Sequence, residues 1–249
     1  MSTGPEDSAR AVLGVIPARY GASRFPGKPL ATLWGRPLLR HVLERARRVP
    51  GLDELVIATD DDRIAEAARD WDAEVVMTSA ECASGTDRVA EVARARPHAA
   101  IVLNLQGDEP ELESAAVGEL VRVMRADASL PMGTLAHHEP DAAALASPDV
   151  VKVVVDEDGF ALYFSRADIA AASRGGPALR HAGVYAFRRG VLLAFSAWPP
   201  SPLERAERLE QLRALERGVR IKVVVGVRPF AGVDTPAQLA ALEARGPAA

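Results

Sequence analysis

The chain has a single cysteine, Cys82, among 249 residues, and only 5% of its residues are aromatic. One thiol excludes an internal disulfide and a cysteine-built metal cluster. It suits a reducing compartment, so a cytoplasmic location is expected. Apolar runs are short. None reaches the roughly 20 residues of a membrane-spanning helix, so no membrane partner is expected. An excess of positive charge is also missing. Against 34 Asp and Glu stand 30 Lys and Arg, a formal net charge of −4. That balance argues against a chain built mainly to hold nucleic acid, while leaving room for a local basic site. Residues 1–10 are polar and carry acids, unlike a secretory signal. They and residues 246–249 are expected to be flexible tails. There is no internal repeat, long linker or low-complexity block.

What is present reads as a globular α/β protein. Hydrophobic residues make up 48% and charged residues 26%, ordinary proportions for a globular chain. The length predicts one large domain, spanning 11–245, with a smaller lobe. In the first half, apolar strands (Ala11–Ile16, Leu55–Ala58, Glu74–Met77, Ala99–Leu105) alternate with segments of helical spacing. Leu38, Leu39, Val42, Ala46 and Val49 form one such helical face. Helices are also expected over Arg63–Asp70 and Thr86–Ala95. This alternation predicts a mainly parallel sheet covered by helices. Ligands bind beyond the carboxyl ends of strands in such sheets.

The second half is richer in β structure. Val151–Val155 and Phe160–Phe164 flank a turn, Asp156-Glu157-Asp158-Gly159, and predict a hairpin. Val184–Phe187 and Ile221–Val225 predict further strands. Ser201-Pro202 with Glu204 is a capping-box start, and the pattern predicts one helix from there through Arg217, stopped by Gly218. On that helix Glu210 would fall two turns after Leu203, on the same face. Thr235 and Gln238 open a last helix.

The most informative stretch follows the first strand. It carries Arg19, Arg24 and Lys28 on a turn shaped by Gly21, Gly27, Pro26 and Pro29. Cations and backbone N–H groups on such a turn suit a polyphosphate. The pattern is not a P-loop. Five residues separate Gly21 from Gly27, and Pro29 stands where that motif needs a metal-binding hydroxyl. Any metal must therefore be held from elsewhere. Asp108, in Gln106-Gly107-Asp108-Glu109-Pro110, lies at a strand end where a hard cation would bridge protein and phosphate, as magnesium does. The same residues also form ordinary turns. Asp234 in Gly232-Val233-Asp234-Thr235-Pro236 complements a helix start, and becomes a second ligand only if the fold carries it to Asp108. Ser84-Gly85-Thr86-Asp87-Arg88 opens a helix. It reads first as a cap and second as a phosphate or base contact. Arg166, His181 and Tyr185 belong to the β-rich half, and Arg166 directly after a strand is well placed for a carboxylate. His137-His138 is assigned no metal. Cys82 has no histidine partner in the sequence that would mark a thiol nucleophile.

Taken in order, these motifs resemble the 3-deoxy-manno-octulosonate cytidylyltransferase family. The resemblance runs from about Val12 to Glu243. It rests on Ile16-Pro17-Ala18-Arg19-Tyr20, Ser23-Arg24-Phe25-Pro26-Gly27-Lys28-Pro29-Leu30, Ser84-Gly85-Thr86-Asp87-Arg88 and Gln106-Gly107-Asp108-Glu109-Pro110. It continues through Val151-Lys152-Val153-Val154, Tyr163-Phe164-Ser165-Arg166, Arg180-His181-Ala182-Gly183-Val184-Tyr185, Leu209-Glu210-Gln211-Leu212-Arg213 and Gly232-Val233-Asp234-Thr235-Pro236. The resemblance implies a glycosyltransferase-A-like nucleotidyltransferase. Its nucleotide half would be about 11–130, its acceptor and dimer part 131–220, and a returning segment 221–245. It implies CTP, Mg2+, a homodimer and a place in lipopolysaccharide biosynthesis, with CMP transferred to the anomeric hydroxyl of 3-deoxy-manno-octulosonate (KDO). Arg19, Arg24 and Lys28 would hold the triphosphate. Ala18, Ser84, Gly85, Arg88 and Gln106 would lie around the nucleotide. Asp108 and Asp234 would bind magnesium. Arg166, His181, Tyr185, Glu210 and Gln211 would line the acid pocket. The segment Ala170–Pro177 departs from the family, being short and rich in small residues where relatives carry a proline-tryptophan-aspartate-arginine stretch. A different acid acceptor, another ulosonic acid or a phosphonate, is therefore the alternative. A non-catalytic nucleotide-binding protein is disfavoured by the intact Arg19, Lys28, Asp108 and Asp234.

Overall fold

Val12–Ala18 forms β1 because a nearly unbroken apolar run can be buried on both faces only as an inner strand of a parallel sheet. The computed structural model describes residues 11–21, 25–139, 141–169, 179–226 and 232–247. Two compact units result. One runs to Ala115 and takes in the C-terminal segment; the other is Ala116–Pro229.

In the first unit β1 is followed by a small hairpin, β2 (Thr32–Leu33) and β3 (Arg36–Pro37), and then by β4 (Glu54–Thr59), β5 (Glu74–Met77) and β6 (Ile101–Asn104). Both β4 and β6 pair with β1, and β5 pairs with β4, all in parallel. Right-handed crossovers between parallel strands need helices. They are supplied by Leu38–Ala46, Asp62–Arg69 and Gly85–Arg94. Helix Leu38–Ala46 buries Leu38, Leu39, Val42, Leu43 and Ala46, and each fully buried leucine contributes about 1.5–3 kcal/mol. The last helix, Pro236–Arg245, begins with the expected capping box of Thr235 and Gln238. Strand, helix and turn order agree with the sequence reading to within a residue or two, and the parallel sheet is as expected.

The second unit is mixed. β7 (Met132–His137) pairs in parallel with β11 (Ile221–Gly226) and antiparallel with β10 (Leu179–Arg188). β8 (Lys152–Val155) pairs antiparallel with β10 and with β9 (Ala161–Ser165), so the expected hairpin is present. Two expectations are corrected. β10 is longer than Val184–Phe187, because its register shifts between Ala182 and Tyr185; such a bulge interrupts the alternation by which a strand is recognised. The single helix from Ser201 through Arg217 is two, Pro202–Glu207 and Leu212–Glu216. Arg208 adopts φ 55° and ends the first of them in a left-handed cap. Arg213 then donates from Nε to Glu204 at 2.8 Å, tying the second helix to the first. Glu210 therefore lies between the helices, not on one face with Leu203.

Candidate active site

In the first unit a cavity of about 240 Å³ opens beyond the carboxyl ends of β1 and β6, lined among others by Ala18, Arg19, Lys28, Ser84, Gly85, Gln106, Asp108 and Asp234. The turn before Lys28 works because Gly27 sits at φ 73°, a conformation that side chains disfavour, and because a Cβ there would lie 3.1 Å from the Tyr20 ring. The Gly27 N–H donates to the Tyr20 carbonyl at 2.8 Å and closes the loop. Gly107 is equally constrained: a Cβ would lie 2.8 Å from the backbone oxygen of Pro17. Asp108 follows directly. The Val233 N–H donates to the Asp108 carbonyl at 2.8 Å, which brings the C-terminal segment to this loop.

The consequence is a three-charge cluster. Lys28 Nζ lies 2.6 Å from Asp108 Oδ2 and 3.7 Å from Asp234 Oδ1. Asp234 was of interest only if the fold brought it to Asp108, and the fold does so. Across the cavity, Ser84 caps helix Gly85–Arg94 in a full capping box with Asp87, so the capping reading holds while Ser84 and Gly85 also line the cavity. Gln106 is oriented by a relay that the sequence reading missed. Thr86 Oγ1 accepts from Asn104 Nδ2 at 3.1 Å, and Asn104 Oδ1 accepts from Gln106 Nε2 at 3.2 Å. Asn104 is fully buried. Arg88 also lines the cavity, but its guanidinium is engaged by Asp60 Oδ2 at 3.1 Å and by Thr78 Oγ1. Arg24 lies outside the described residues. Cys82 borders the cavity too. Burial pushes its thiol up to about 11, aided by the hydrogen bond to Glu91 and that carboxylate's charge. It is a protonated thiol at neutral pH, unsuited to nucleophilic work.

The second unit gathers the remaining candidates. The bulge in β10 sets His181 and Tyr185 side by side, ring centroids 5.5 Å apart, with Phe164 against the histidine at 5.0 Å. His181 Nε2 meets Thr134 Oγ1 at 2.9 Å. Burial, and then the neighbouring His137, push His181 down to about 3. Burial and the Arg180 charge push His137 down to about 4. Both rings are neutral at neutral pH. Gln211 is 3% exposed, and its Nε2 has no hydrogen-bond partner among the described residues. Glu210 Oε1 lies 3.6 Å from Arg213. Arg166 stands just past β9, its Nη1 donating to the Pro148 carbonyl at 3.3 Å. The segment 170–177, where the sequence departs from the family, lies outside the described residues. The supports of Arg166, Lys152 and Glu207, were also missed. A lone lysine inside the valine run of β8 was the available signal for the first.

A cation between two carboxylates beside a helix amino end, all beyond parallel strand ends, is the equipment of an enzyme that handles phosphates, and the family model described as Cytidylyltransferase matches residues 13–221. The class is therefore that of the cytidylyltransferases. Relatives narrow it. The 3-deoxy-manno-octulosonate cytidylyltransferase of Anaeromyxobacter dehalogenans is 52% identical over 236 residues, 92% of this chain and 95% of that protein. The enzyme of the same name from Geobacter metallireducens is 46% identical, covering 92% of this chain and 94% of its own length. A solved structure of CMP:2-keto-3-deoxy-manno-octonic acid synthetase complexed with CTP superposes with a TM-score of 0.88 at 44% identity, covering 94% of this chain and 98% of that one. The chain belongs to the 3-deoxy-manno-octulosonate cytidylyltransferase family. A 4-diphosphocytidyl-2C-methyl-D-erythritol synthase from Anaerococcus prevotii shares the fold, with a TM-score of 0.64 at 16% identity over 98% of this chain and 99% of that one.

Proposed function

We propose that this chain transfers CMP from CTP to the anomeric hydroxyl of KDO and releases pyrophosphate. The observation that carries the reading is the Lys28 ammonium held between Asp108 and Asp234 in the strand-end cavity. In the reaction the hydroxyl oxygen bonds to the α-phosphorus and the hydroxyl proton is released. The bond from that phosphorus to the bridging oxygen breaks, and pyrophosphate leaves with the electron pair. Such transfer depends on positioning and on offsetting charge. Arg19, Arg24 and Lys28 donate to phosphate oxygens. Ala18, Ser84, Gly85 and Arg88 surround the nucleotide. Gln106, its Nε2 given to Asn104, offers its oxygen to the exocyclic amine of cytosine, a donor that uracil lacks. Arg166 faces the acceptor's carboxylate, while neutral His181 with Tyr185, Glu210 and Gln211 accommodate its hydroxyls.

The donor set fits Mg2+. Two carboxylates beside a polyphosphate repel it, by about 4 kcal/mol per pair of unit charges at 4 Å and an effective dielectric constant of 20. A hard divalent cation held by these carboxylates would offset that repulsion. Among the described residues no group of three His, Cys, Asp or Glu side chains forms a closed metal cage. Magnesium is commonly held by one or two carboxylates together with phosphate oxygens and water, so two carboxylates beside a triphosphate are a sufficient protein contribution. Asp108 and Asp234 would hold it, and it would supply charge neutralisation at the transferring phosphate.

The test is pyrophosphate release with CTP, Mg2+ and KDO, run beside UTP and beside a panel of other ulosonic acids and phosphonates. Release with CTP and KDO, and release slower by about tenfold or more with UTP, is expected. Release with another acid and none with KDO would reject the acceptor and keep the chemistry. Silence with every acid would reject the function. The same reading includes a homodimer in the cytoplasm, serving lipopolysaccharide biosynthesis. Light scattering checks the dimer, giving either 26.5 kDa or twice that. No helix among the described residues is long and apolar enough to cross a membrane.

A further inference from the structure

Lys152 is completely buried, its relative exposure 0%. An ammonium in that position must satisfy all three of its donors or leave the fold badly destabilised. It does so entirely on backbone. Nζ donates to the carbonyls of Ser147 at 2.9 Å, Val150 at 2.7 Å and Arg166 at 2.6 Å. No donor is left for a ligand. Burial pushes the amine down from its usual range, and the charge of Asp168 opposes that shift.

A second ionised group grips the other side of Arg166. Glu207 Oε2 accepts the Arg166 N–H at 3.0 Å, and Glu207 Oε1 accepts from Ser165 Oγ at 2.7 Å and Tyr163 OH at 3.3 Å. Burial alone would raise the Glu207 carboxyl. The Arg166 N–H and the two hydroxyls outweigh it and hold the group below the usual carboxylate range. The N–H and the C=O of one residue are thus each held by a charged side chain. Charge-assisted hydrogen bonds are about twice as strong as neutral ones. The loop that supplies two of the lysine's acceptors also takes the Arg166 guanidinium, through the Pro148 carbonyl. Lys152 pairs with Ser165 in the sheet on one side and with Arg180, next to His181, on the other.

We propose that Lys152 and Glu207 are positioning residues for the acid acceptor: together they clamp the backbone of Arg166 so that its guanidinium is pre-set for the acceptor's carboxylate. This rests on the reading of Arg166 as an acceptor contact. Pre-setting matters because a long cationic side chain loses considerable rotamer freedom on binding, and a fixed backbone lowers that cost.

The test is steady-state kinetics of the full chain with CTP and KDO for Arg166→Ala, Glu207→Gln, Lys152→Met and the Arg166→Ala/Glu207→Gln double variant, each with a melting temperature. Glu207→Gln keeps an oxygen for the hydroxyls and replaces the acceptor of the Arg166 N–H by a donor. Glu207→Gln is expected to raise KM for the acid about tenfold and leave KM for CTP within about twofold, as order-of-magnitude effects of one lost charged hydrogen bond. Lys152→Met should act in the same direction. If it does not fold, Glu207→Gln carries the test alone. The double variant should be no worse than Arg166→Ala, because two residues acting through one contact are not additive. A lower melting temperature with KM for the acid unchanged would overturn the clamp, as would multiplicative losses in the double variant. An unchanged KM for the acid in Arg166→Ala would remove the underlying reading of Arg166, and the clamp with it.

Discussion

The two units hold their functional groups by different means. In the first, every described nucleotide-side candidate except Asp234 sits at the end of a parallel strand or in a loop or helix start that leads on from one. Two of these loops turn on glycines, Gly27 and Gly107, that tolerate no side chain. In the second, the acceptor-side candidates come from a bulged antiparallel strand, a broken helix and the end of β9, where Arg166 is held by the ionised Lys152 and Glu207. A parallel sheet turns order along the chain into position in space, because all strand ends of one kind point the same way. A mixed antiparallel region has no such rule, and its site depends on cross-strand neighbours that are distant in sequence.

The sharpest test of this contrast is Asp108→Asn. Removing the charge from the Asp108 carboxylate, which Lys28 Nζ contacts at 2.6 Å, should lower kcat by about a thousandfold or more, since transfer depends on charge placement. Circular dichroism should be unchanged, because the loop's backbone contact to Val233 remains. Near-normal turnover would remove Asp108 from the proposed metal site. Lys28→Met should cost about a hundredfold in kcat/KM for CTP while KM for the acid changes little, a split that isothermal titration with CTP can check independently. Equal damage to both substrates would mean that the nucleotide-side and acceptor-side groups do not act separately.

How legible each unit was follows from the same difference. Lys28, Asp108 and Ser84-Gly85 were readable because turn chemistry and strand ends are local properties. Asp234 needed the Val233–Asp108 hydrogen bond, which joins segments more than a hundred residues apart, and no local pattern carries that. The relay from Thr86 through Asn104 to Gln106 was hidden because Asn104 reads as one polar interruption of an apolar strand. In the second unit, Arg208 carries no glycine-like signal for its left-handed cap, so the helix break was invisible and Glu210 was put on the wrong face. Lys152 looked like one charge in a strand, and its three carbonyl partners depend on the turn of a loop that sequence does not specify.

Gly107→Ala probes the first unit's construction from its backbone. The new Cβ would meet the Pro17 oxygen at 2.8 Å, and neither partner is the end of a flexible side chain. A loss of about 1–3 kcal/mol is expected by chemical denaturation. The shift of the Asp108 loop should also cut kcat by about tenfold or more, since small misplacements at a reacting centre are costly. Gly190→Ala, where nothing lies within 4 Å, serves as the control: turnover should be unchanged, and stability should be unchanged or slightly raised because Gly190 lies in the helix Arg189–Ala197. A stability loss without any loss of turnover would show that the close approach is structural and leaves Asp108 placed.

The smallest expected effect belongs to the second unit and is read in pH. His137 and His181 have folded-state values of about 4 and about 3, below the ordinary 6.5 of an unfolded chain. Between those limits the unfolded state takes up protons that the folded state refuses. The stability from keeping both rings neutral is therefore complete above about pH 6.5, falls as the pH drops below it, and is lost once the folded values are passed. Each histidine contributes a slope of at most about 1.4 kcal/mol per pH unit in that window. Denaturation followed between pH 7 and pH 5 should show falling stability. The fall should be shallower in His181→Gln and in His137→Gln, which replace a titrating ring by a neutral amide. In a variant that keeps Trp198 alone (Trp34→Phe/Trp71→Phe), fluorescence reports on this unit directly, because Trp198 packs on Phe195, which in turn packs on Phe187 of β10. If both variants keep the parent's slope, the acid sensitivity arises elsewhere and the two rings do not stay neutral as described.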